Sequence, residues 1–191
     1  NSKMSEENNV AFPLVSVIIR SMDRPTLADA LDSVALQTYP NIEVVIVNAK
    51  GADHQTIGEW CGHFPIRMGG NNESLSQARA ANIGLNSAKG NCLIFLDDDD
   101  LFCPEHITNL VSALQNHPSV RCAYAGVRVE HYSDGQLETV TEFNEPFDLH
   151  RLWGRNFIPI HAMLFEQSLV TIDRCSFDEN LEVFEDWDFW I

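Results

Sequence analysis

The feature that most constrains this chain is a run of five apolar residues that passes directly into four consecutive acids (Cys92–Asp100). An apolar run with so abrupt a boundary indicates a strand buried on both faces, as occurs inside parallel sheets. Open α/β sheets bind ligands beyond the carboxyl ends of their strands, so the acids lie where a site is expected. Four adjacent carboxylates repel one another unless a cation lies among them. The run alone supports two readings equally, a metal site for a phosphorylated ligand and a solvated acidic loop that caps the next helix.

Strands and helices alternate on either side of this run. Apolar, β-branched runs predict further buried strands at 14–19 and 42–47, and 65–68 is expected to form a short strand. Helical spacing of apolar residues, with Pro or Gly at the ends, predicts helices at 25–37, 53–61, 74–88 and 104–117. This alternation with short connections indicates right-handed βαβ units and a mostly parallel sheet.

The pattern changes after Val120. Residues 121–131 and 137–143 flank a Ser-Asp-Gly-Gln turn and predict an antiparallel hairpin. We expect an irregular loop at 144–157, a short strand at 163–165 and a helix towards the end of the chain. The polar residues 1–12 predict a disordered leader or linker, and 13–191 a single domain. The aromatic-rich end without a cap predicts that this domain is truncated at its C-terminal end.

Composition excludes several classes of function. The formal charge of −16 argues against nucleic acid or an anionic membrane as the partner, since both require a cationic surface. No apolar run approaches the roughly 20 residues of a transmembrane helix. The five cysteines are odd in number and form no C-x-x-C pair, which predicts reduced thiols, a cytoplasmic location and no zinc site.

Eight short segments form a wider pattern, namely Ser16–Ile19, Arg24–Pro25, Leu31–Val34, Gln37–Asn41, Arg79–Leu85, Ala88–Gly90, Phe95–Asp100 and Glu185–Trp190. In order and spacing they resemble the family-2 inverting glycosyltransferases of the GT-A fold. The resemblance covers residues 14–191. It implies an α/β, Rossmann-like GT-A domain in which helices enclose a mostly parallel sheet, with a small antiparallel hairpin in the second half.

The resemblance also implies a donor and a metal. The donor would be a nucleoside-diphosphate sugar, and Mn²⁺ or Mg²⁺ would stabilise the departing diphosphate as a Lewis acid. In the family the first acid of the motif lies near the ribose and the third contacts the metal, which by position are Asp97 and Asp99. Asp98 and Asp100 are then expected to make structural hydrogen bonds or to cap the next helix. Arg79 matches an arginine near the nucleotide, although pairing with a surface acid is equally expected.

An inverting transfer requires a base on the acceptor hydroxyl. Asp186 matches the family's base, and Glu185 precedes it as in the family. Without the resemblance, both would be interpreted as first-turn acids favoured by the helix dipole. His161 and Trp187 are candidates for the acceptor side, with core packing as the commoner alternative. The acceptor itself is unknown and could be a glycan, a lipid-linked molecule or another class.

Two segments depart from the family pattern. The chain has Arg20–Asp23 where the family usually carries Pro-x-Tyr-Asn, and Asn48–Gly51 where it usually carries Asp-Asp-Gly-Ser. Asn48 can still bind a base edge, because its amide both donates and accepts hydrogen bonds. The alternatives are therefore a non-catalytic nucleotide-sugar binding module or an inactive fragment of a larger glycosyltransferase. A nucleotidyltransferase is disfavoured, because no glycine-rich loop follows the first strand.

Overall fold

The computed structural model describes residues 12–191, so that residues 1–11 of the predicted leader lie outside it. The strands are β1 (Val15–Ser21), β2 (Ile42–Asn48), β3 (Trp60–Cys61), β4 (Phe64–Gly69), β5 (Cys92–Asp97), β6 (Cys122–Tyr124), β7 (Val127–Ser133), β8 (Gln136–Phe143) and β9 (Met163–Glu166). The helices are α1 (Leu27–Ala35), α2 (Gln77–Ser87), α3 (His106–Asn116), α4 (Leu149–Gly154), α5 (Ser168–Thr171) and α6 (Glu185–Trp190). A 3₁₀ turn covers Ile160–Ala162.

A seven-stranded sheet in the order β3-β4-β2-β1-β5-β9-β6 forms the centre of the molecule. Strands β4, β2, β1 and β5 are parallel, whereas β3, β9 and β6 are antiparallel to their neighbours. The register places Arg20 on β1 opposite Asp97 on β5, and Ser21 opposite Asn48 on β2. The predicted mostly parallel sheet is confirmed, and its central strands end together at one edge.

Helices cover both faces of this sheet. The side of α1 and α3 contains an apolar cluster with Val17, Ile94 and Leu110, and the side of α2 contains one with Ile18 and Phe95. Helix α2 approaches β1 closely at Gly84, where an added Cβ would overlap a methyl carbon of Ile18. Because these helices fix the strands from both sides, the loops at the carboxyl edge start from a rigid base.

The predicted helix at 53–61 is wrong. The structure has a loop there that ends in β3, and Asp53 adopts a left-handed conformation with φ of 65°. The loop is held by tertiary hydrogen bonds, since the backbone N–H of Gln55 donates to Asp23 and Nε2 of His54 lies 2.8 Å from the Ser21 hydroxyl. These bonds outweigh the weak helical periodicity of the segment.

The second half of the chain differs from the prediction in two places. Residues 144–157 contain the short helix α4, capped by the Asp148 carboxylate, which accepts from the N–H groups of His150 and Arg151. The predicted strand at 121–131 is divided into β6, which joins the main sheet, and β7. The predicted hairpin is confirmed as β7 and β8. Within residues 12–191, no helix is both long and apolar enough to cross a membrane.

Candidate active site

A cavity of about 430 Å³ lies at the carboxyl edge of the sheet, between the ends of β1 and β5 and the start of α6. It is lined by Arg20, Gln77, Asp97, Asp100, Pro159, Ile160, His161, Val183, Phe184, Glu185 and Asp186. Four predicted site residues line this cavity, namely Asp97, His161, Glu185 and Asp186, together with Asp100 of the acidic run. The fold thus brings together the acidic run and the Glu185–Trp190 segment, which are far apart in sequence. A larger, apolar groove of about 710 Å³ lies elsewhere, beside β6 and α6, and contains none of the acids of the run.

Arg20 connects the two sides of the cavity. Its Nε and Nη2 donate to the two carboxylate oxygens of Asp97 at 2.9 and 2.8 Å, and its Nη1 donates to Glu185 at 2.8 Å. The side chains of Arg20 and Glu185 are both only 6% exposed. Burial opposes the charge of Arg20, but the two acids outweigh it and raise the pKa of the guanidinium above its usual value. Glu185 therefore lies in a buried ion pair at the wall of the cavity, and its acceptor-side role stays a prediction.

Asp98 serves the loop that follows β1. Its side chain is fully buried, and one carboxylate oxygen accepts from the backbone N–H groups of Met22 at 2.7 Å and Arg24 at 3.2 Å. The other oxygen accepts from Nη1 of Arg24 at 2.7 Å. These contacts agree with the structural role expected for Asp98.

Asp99 and Asp100 differ in their partners. The Asp99 side chain is 49% exposed and pairs with Arg24 at 3.1 Å. Partial burial and the neighbouring acids raise the pKa of the Asp99 carboxyl above its usual value, against the opposing charge of Arg24. Asp100 lies 3.1 Å from Nδ1 of His161. Burial opposes the charge of Asp100, yet the contact with His161 outweighs it and lowers the pKa of the carboxyl.

Asp186 lies on the first turn of α6, facing the cavity. One carboxylate oxygen accepts from the side-chain amide of Asn156 at 3.0 Å, and the other from the backbone N–H of Trp187 at 2.7 Å. Burial and the negative charge of Glu185 raise the pKa of the Asp186 carboxyl. The two hydrogen bonds lower this pKa, but they do not cancel the increase. A carboxylate that is costly to ionise and opens into a cavity is a competent proton acceptor.

Four predicted residues are not in the lining of this cavity, namely Asp99, described above, and Asn48, Arg79 and Trp187. The Asn48 amide bonds with the backbone of Gly51 at 2.8 and 2.9 Å and with Asn72 at 3.2 Å, so it closes the loop after β2. Arg79 on α2 is exposed and lies 3.9 Å from Glu73. Trp187 packs against the cluster around Leu152 and donates to that residue's carbonyl. Their roles in donor or acceptor binding stay predictions.

Arg20, Arg24 and Asn156 contact the predicted acids but were not among the predicted site residues. A signal for Arg20 is present in the sequence, because a charged residue at the end of an apolar strand is unusual unless it is paired. Arg24 and Asn156 lie in loops, where no periodicity shows which way a side chain points. Their contacts could be found only from the folded chain.

The acids fit a divalent cation that is shared with a ligand. The cavity is lined by four carboxylates, Asp97, Asp100, Glu185 and Asp186, and by one arginine, Arg20, which leaves an excess of three negative charges among its described lining residues. In residues 12–191, no three His, Cys, Asp or Glu side chains form a preformed metal site. Ions such as Mg²⁺ usually keep waters and take one or two protein carboxylates together with substrate phosphates. The half-exposed Asp99 suits such a shared ion.

Comparison with known families decides the class of this protein. The family described as Glycosyl transferase family 2 matches residues 16–175, which is most of the chain. The chain belongs to glycosyl transferase family 2. Membership confirms the predicted family, and the strand order and antiparallel hairpin agree with its GT-A fold.

Relatives of this family-2 chain include an uncharacterized glycosyltransferase of Haemophilus influenzae, 28% identical over 92% of the chain and 60% of the relative. Glycosyltransferase GlyA of Streptococcus pneumoniae is 38% identical over 79% of the chain and 21% of GlyA. The chain therefore spans about three fifths or less of the length of these two relatives.

Two solved structures are similar to the family-2 domain in fold. S. aureus TarS 1–349 in complex with UDP-GlcNAc has a TM-score of 0.68 at 18% identity, over 92% of the chain and 52% of the TarS chain. The mannosyltransferase PcManGT from Pyrobaculum calidifontis, in complex with GDP-Man and Mn²⁺, has a TM-score of 0.66 at 19% identity, over 94% and 51%. The GT-A fold is thereby confirmed.

Proposed function

We propose that this domain transfers a sugar from a nucleoside-diphosphate sugar to an acceptor, with inversion and with the help of a divalent ion. The observation that carries the proposal is that Asp97, at the end of β5, and Asp186, on α6, open into the same cavity. One is the predicted donor contact and the other the predicted base. A single displacement requires the base to lie on the face of the anomeric carbon opposite the leaving group, so that donor and base must share one cavity. TarS and PcManGT, which share the fold, were solved with UDP-GlcNAc and GDP-Man.

The excess of negative charge supports the part assigned to a metal. A diphosphate anion would be repelled by the acids around the cavity unless a cation neutralised them. Asp99 would hold Mn²⁺ or Mg²⁺, with the diphosphate and water as the other ligands. The ion would supply positive charge to the leaving group as a Lewis acid. PcManGT was solved with Mn²⁺, which agrees with this assignment.

In the proposed reaction, Asp186 accepts the proton of the acceptor hydroxyl as the oxygen attacks the anomeric carbon. The bond from that carbon to the diphosphate breaks on the opposite face, and the diphosphate leaves. Asn156 orients the Asp186 carboxylate through its 3.0 Å hydrogen bond. The backbone N–H of Trp187 fixes the other oxygen. Asp97 would hold the donor near its ribose, while Arg20 orients the Asp97 carboxylate by donating to both of its oxygens.

Isothermal titration of the full chain with UDP and with GDP, with and without Mn²⁺, followed by donor turnover, tests this proposal. We expect binding of one nucleotide that requires Mn²⁺, and release of that nucleotide from its sugar conjugate. Binding without turnover in the presence of varied acceptors would favour the nucleotide-sugar binding module instead. Absence of Mn²⁺-dependent binding for both nucleotides would contradict the proposal. A cytoplasmic location stays a prediction, and the five free thiols agree with it.

A further inference from the structure

Arg20 makes one contact that the proposed reaction does not use, its ion pair with Glu185 on the other side of the cavity. It lies on β1, buried, and its three nitrogens donate to carboxylates from two different elements. Asp97 belongs to β5, the neighbouring strand, whereas Glu185 is the first residue of α6. We call the set Asp97–Arg20–Glu185 the Arg20 bridge. Residue 20 lies within the segment where the chain departs from the usual pattern of the family.

The bridge matters because it lies where α6 begins. The helix starts after Phe184, which has a left-handed φ of 64° and whose side chain makes no capping hydrogen bond. Further along the helix, Trp187 and Trp190 donate to backbone carbonyls. Glu185 is the buried residue of the helix, and its partner in the structure is Arg20. Asp186 is the next residue, so the bridge fixes the backbone from which it extends, while Asn156 contacts its carboxylate.

We propose that Arg20 is a positioning residue that couples the donor side of the site to the base. It orients Asp97 through a contact between two nitrogens and two oxygens, and it fixes Asp186 through Glu185. The inference rests on the proposed function for the roles of Asp97 and Asp186. The bridge itself stands on the distances and the burial of its three members.

The substitution R20K tests the geometry while keeping the charge. A lysine ammonium is a single point, so it cannot hold both oxygens of Asp97 and reach Glu185 at the same time. We expect kcat to fall by roughly 10- to 100-fold and the KM for the donor to rise, because small displacements of reacting groups are costly in rate. E185Q keeps the shape of the side chain and weakens only the link to α6. For E185Q we expect kcat to fall by about 10-fold with little change in the KM for the donor.

The experiment combines two readouts on the full chain. Steady-state turnover of UDP-GlcNAc and GDP-Man with Mn²⁺ gives kcat and KM. Hydrogen exchange of residues 184–191, measured without ligand, gives the order of α6. The matched control is R121K, since Arg121 also bridges two acids, Glu166 and Asp173, but does so outside the cavity. We expect R121K to leave kcat, KM and the exchange of 184–191 unchanged.

The outcomes separate this inference from the proposed function. The positioning role is supported by faster hydrogen exchange of residues 184–191 in both R20K and E185Q. It also requires that R20K change both kcat and the KM for the donor, and that E185Q lower kcat with little change in KM. Exchange and kinetics like those of the wild type in both variants would overturn it. A general loss of packing in R20K would speed exchange throughout the chain and leave E185Q as the deciding variant. Should the wild type turn over neither donor, the proposed function fails, and unchanged exchange of 184–191 would still refute the bridge.

Discussion

The guanidinium of Arg24 lies 3.1 Å from Asp99, the carboxylate that we assign to the metal. The same nitrogen lies 2.7 Å from Asp98, which is fully buried, whereas Asp99 is 49% exposed. Two acids adjacent in sequence thus share one cation but differ in access to a ligand. A divalent ion at Asp99 would compete with Arg24 for the exposed carboxylate and leave the buried pair intact.

We predict that D99N loses metal-dependent activity without losing the fold. The amide has one weaker oxygen ligand and no charge, so Mn²⁺-dependent nucleotide binding should weaken by about 100-fold or more. The melting temperature should change by no more than a few degrees, because the side chain is half exposed. Titration calorimetry with Mn²⁺ and the bound nucleotide measures the first effect, and thermal unfolding the second.

The control for D99N is D134N, an acid at the tip of the β7–β8 hairpin where φ is 49°. Asparagine tolerates this left-handed conformation, so the variant removes one charge and little else. Mn²⁺-dependent binding should remain as in the wild type. Equal losses in D99N and D134N would mean that overall charge, not a ligand at Asp99, determines metal affinity.

For the neighbouring acid Asp98, we predict that substitution lowers the stability of the fold, in contrast to D99N. D98N removes the charge beside Arg24 and replaces one acceptor oxygen by a donor that faces N–H groups. Burying an unsatisfied polar group in this way costs about 2–4 kcal/mol of the free energy of unfolding. For a domain of this size, the melting temperature should fall by about 5–15 °C. Thermal unfolding decides, and the prediction fails if D99N is the less stable variant.

The acids at the carboxyl edge could be predicted from sequence, because period and strand direction are local properties. Asp97 ends an apolar strand, and parallel strands end at the same edge. The different roles of Asp98, which makes structural hydrogen bonds, and Asp99, which is assigned to the metal, were predicted only through the family resemblance. Its physical cause is the loop after β1, whose N–H groups fold over Asp98. Sequence spacing contains no information on where that loop lies.

The elements that were not predicted correctly, helix α4 and the segment 53–61, also depend on contacts that sequence spacing does not reveal. Helix α4 has six residues and one cap at Asp148, so its periodicity is too short to detect. The segment 53–61 has a weak helical pattern, but the contact between Gln55 and Asp23 brings together residues far apart in sequence. The ion pair of Glu185 with Arg20 likewise joins residues far apart in sequence, and the acceptor-side role of Glu185 stays a prediction. Interactions between distant residues decide each of these cases.

We predict that D186N abolishes transfer and yet stabilises the fold at neutral pH. The pKa of Asp186 is raised by burial, so the folded state holds the proton more tightly than the unfolded state. Ionisation therefore destabilises the fold as the pH rises through the normal range of an aspartate and above it. Asparagine does not ionise, so D186N should unfold at a higher temperature than the wild type at pH 7. Near pH 3 the difference should vanish or reverse.

A second substitution tests the base through its partner. In the wild type, the Asn156 amide donates to Asp186 and thereby lowers the pKa of the Asp186 carboxyl. N156A removes this amide. The pKa should then rise further, so the acid limb of the kcat profile should move to higher pH, with the rate at high pH less affected. Measuring kcat from pH 5 to 9 checks this direction. A profile that falls uniformly, without a shift of the acid limb, would mean that Asn156 does not act through the ionisation of Asp186.

The opposite end of the sheet gives a prediction about stability alone. Glu43 on β2 is buried and accepts from the Ser16 hydroxyl at 2.6 Å, the Lys89 N–H at 2.7 Å and Arg67 at 2.9 Å. Burial opposes its charge, but these three donors outweigh it and lower the pKa of the carboxyl below its usual 4.5.

A group with a lowered folded pKa stabilises the fold above its unfolded pKa and loses this effect as the pH falls through the folded value. E43Q should therefore lower the free energy of unfolding by about 1–3 kcal/mol at pH 7. Because the carboxylate of the wild type becomes protonated in acid, the difference should shrink as the pH falls below 4.5. Urea unfolding at pH 7 and pH 3 measures both values. The control is E142Q, because Arg128, the partner of Glu142, is exposed. E142Q should lower the free energy of unfolding by under about 1 kcal/mol at either pH. A gap for E43Q that persists unchanged at pH 3 would show that packing, and not the ionised hydrogen bonds, makes Glu43 stabilising.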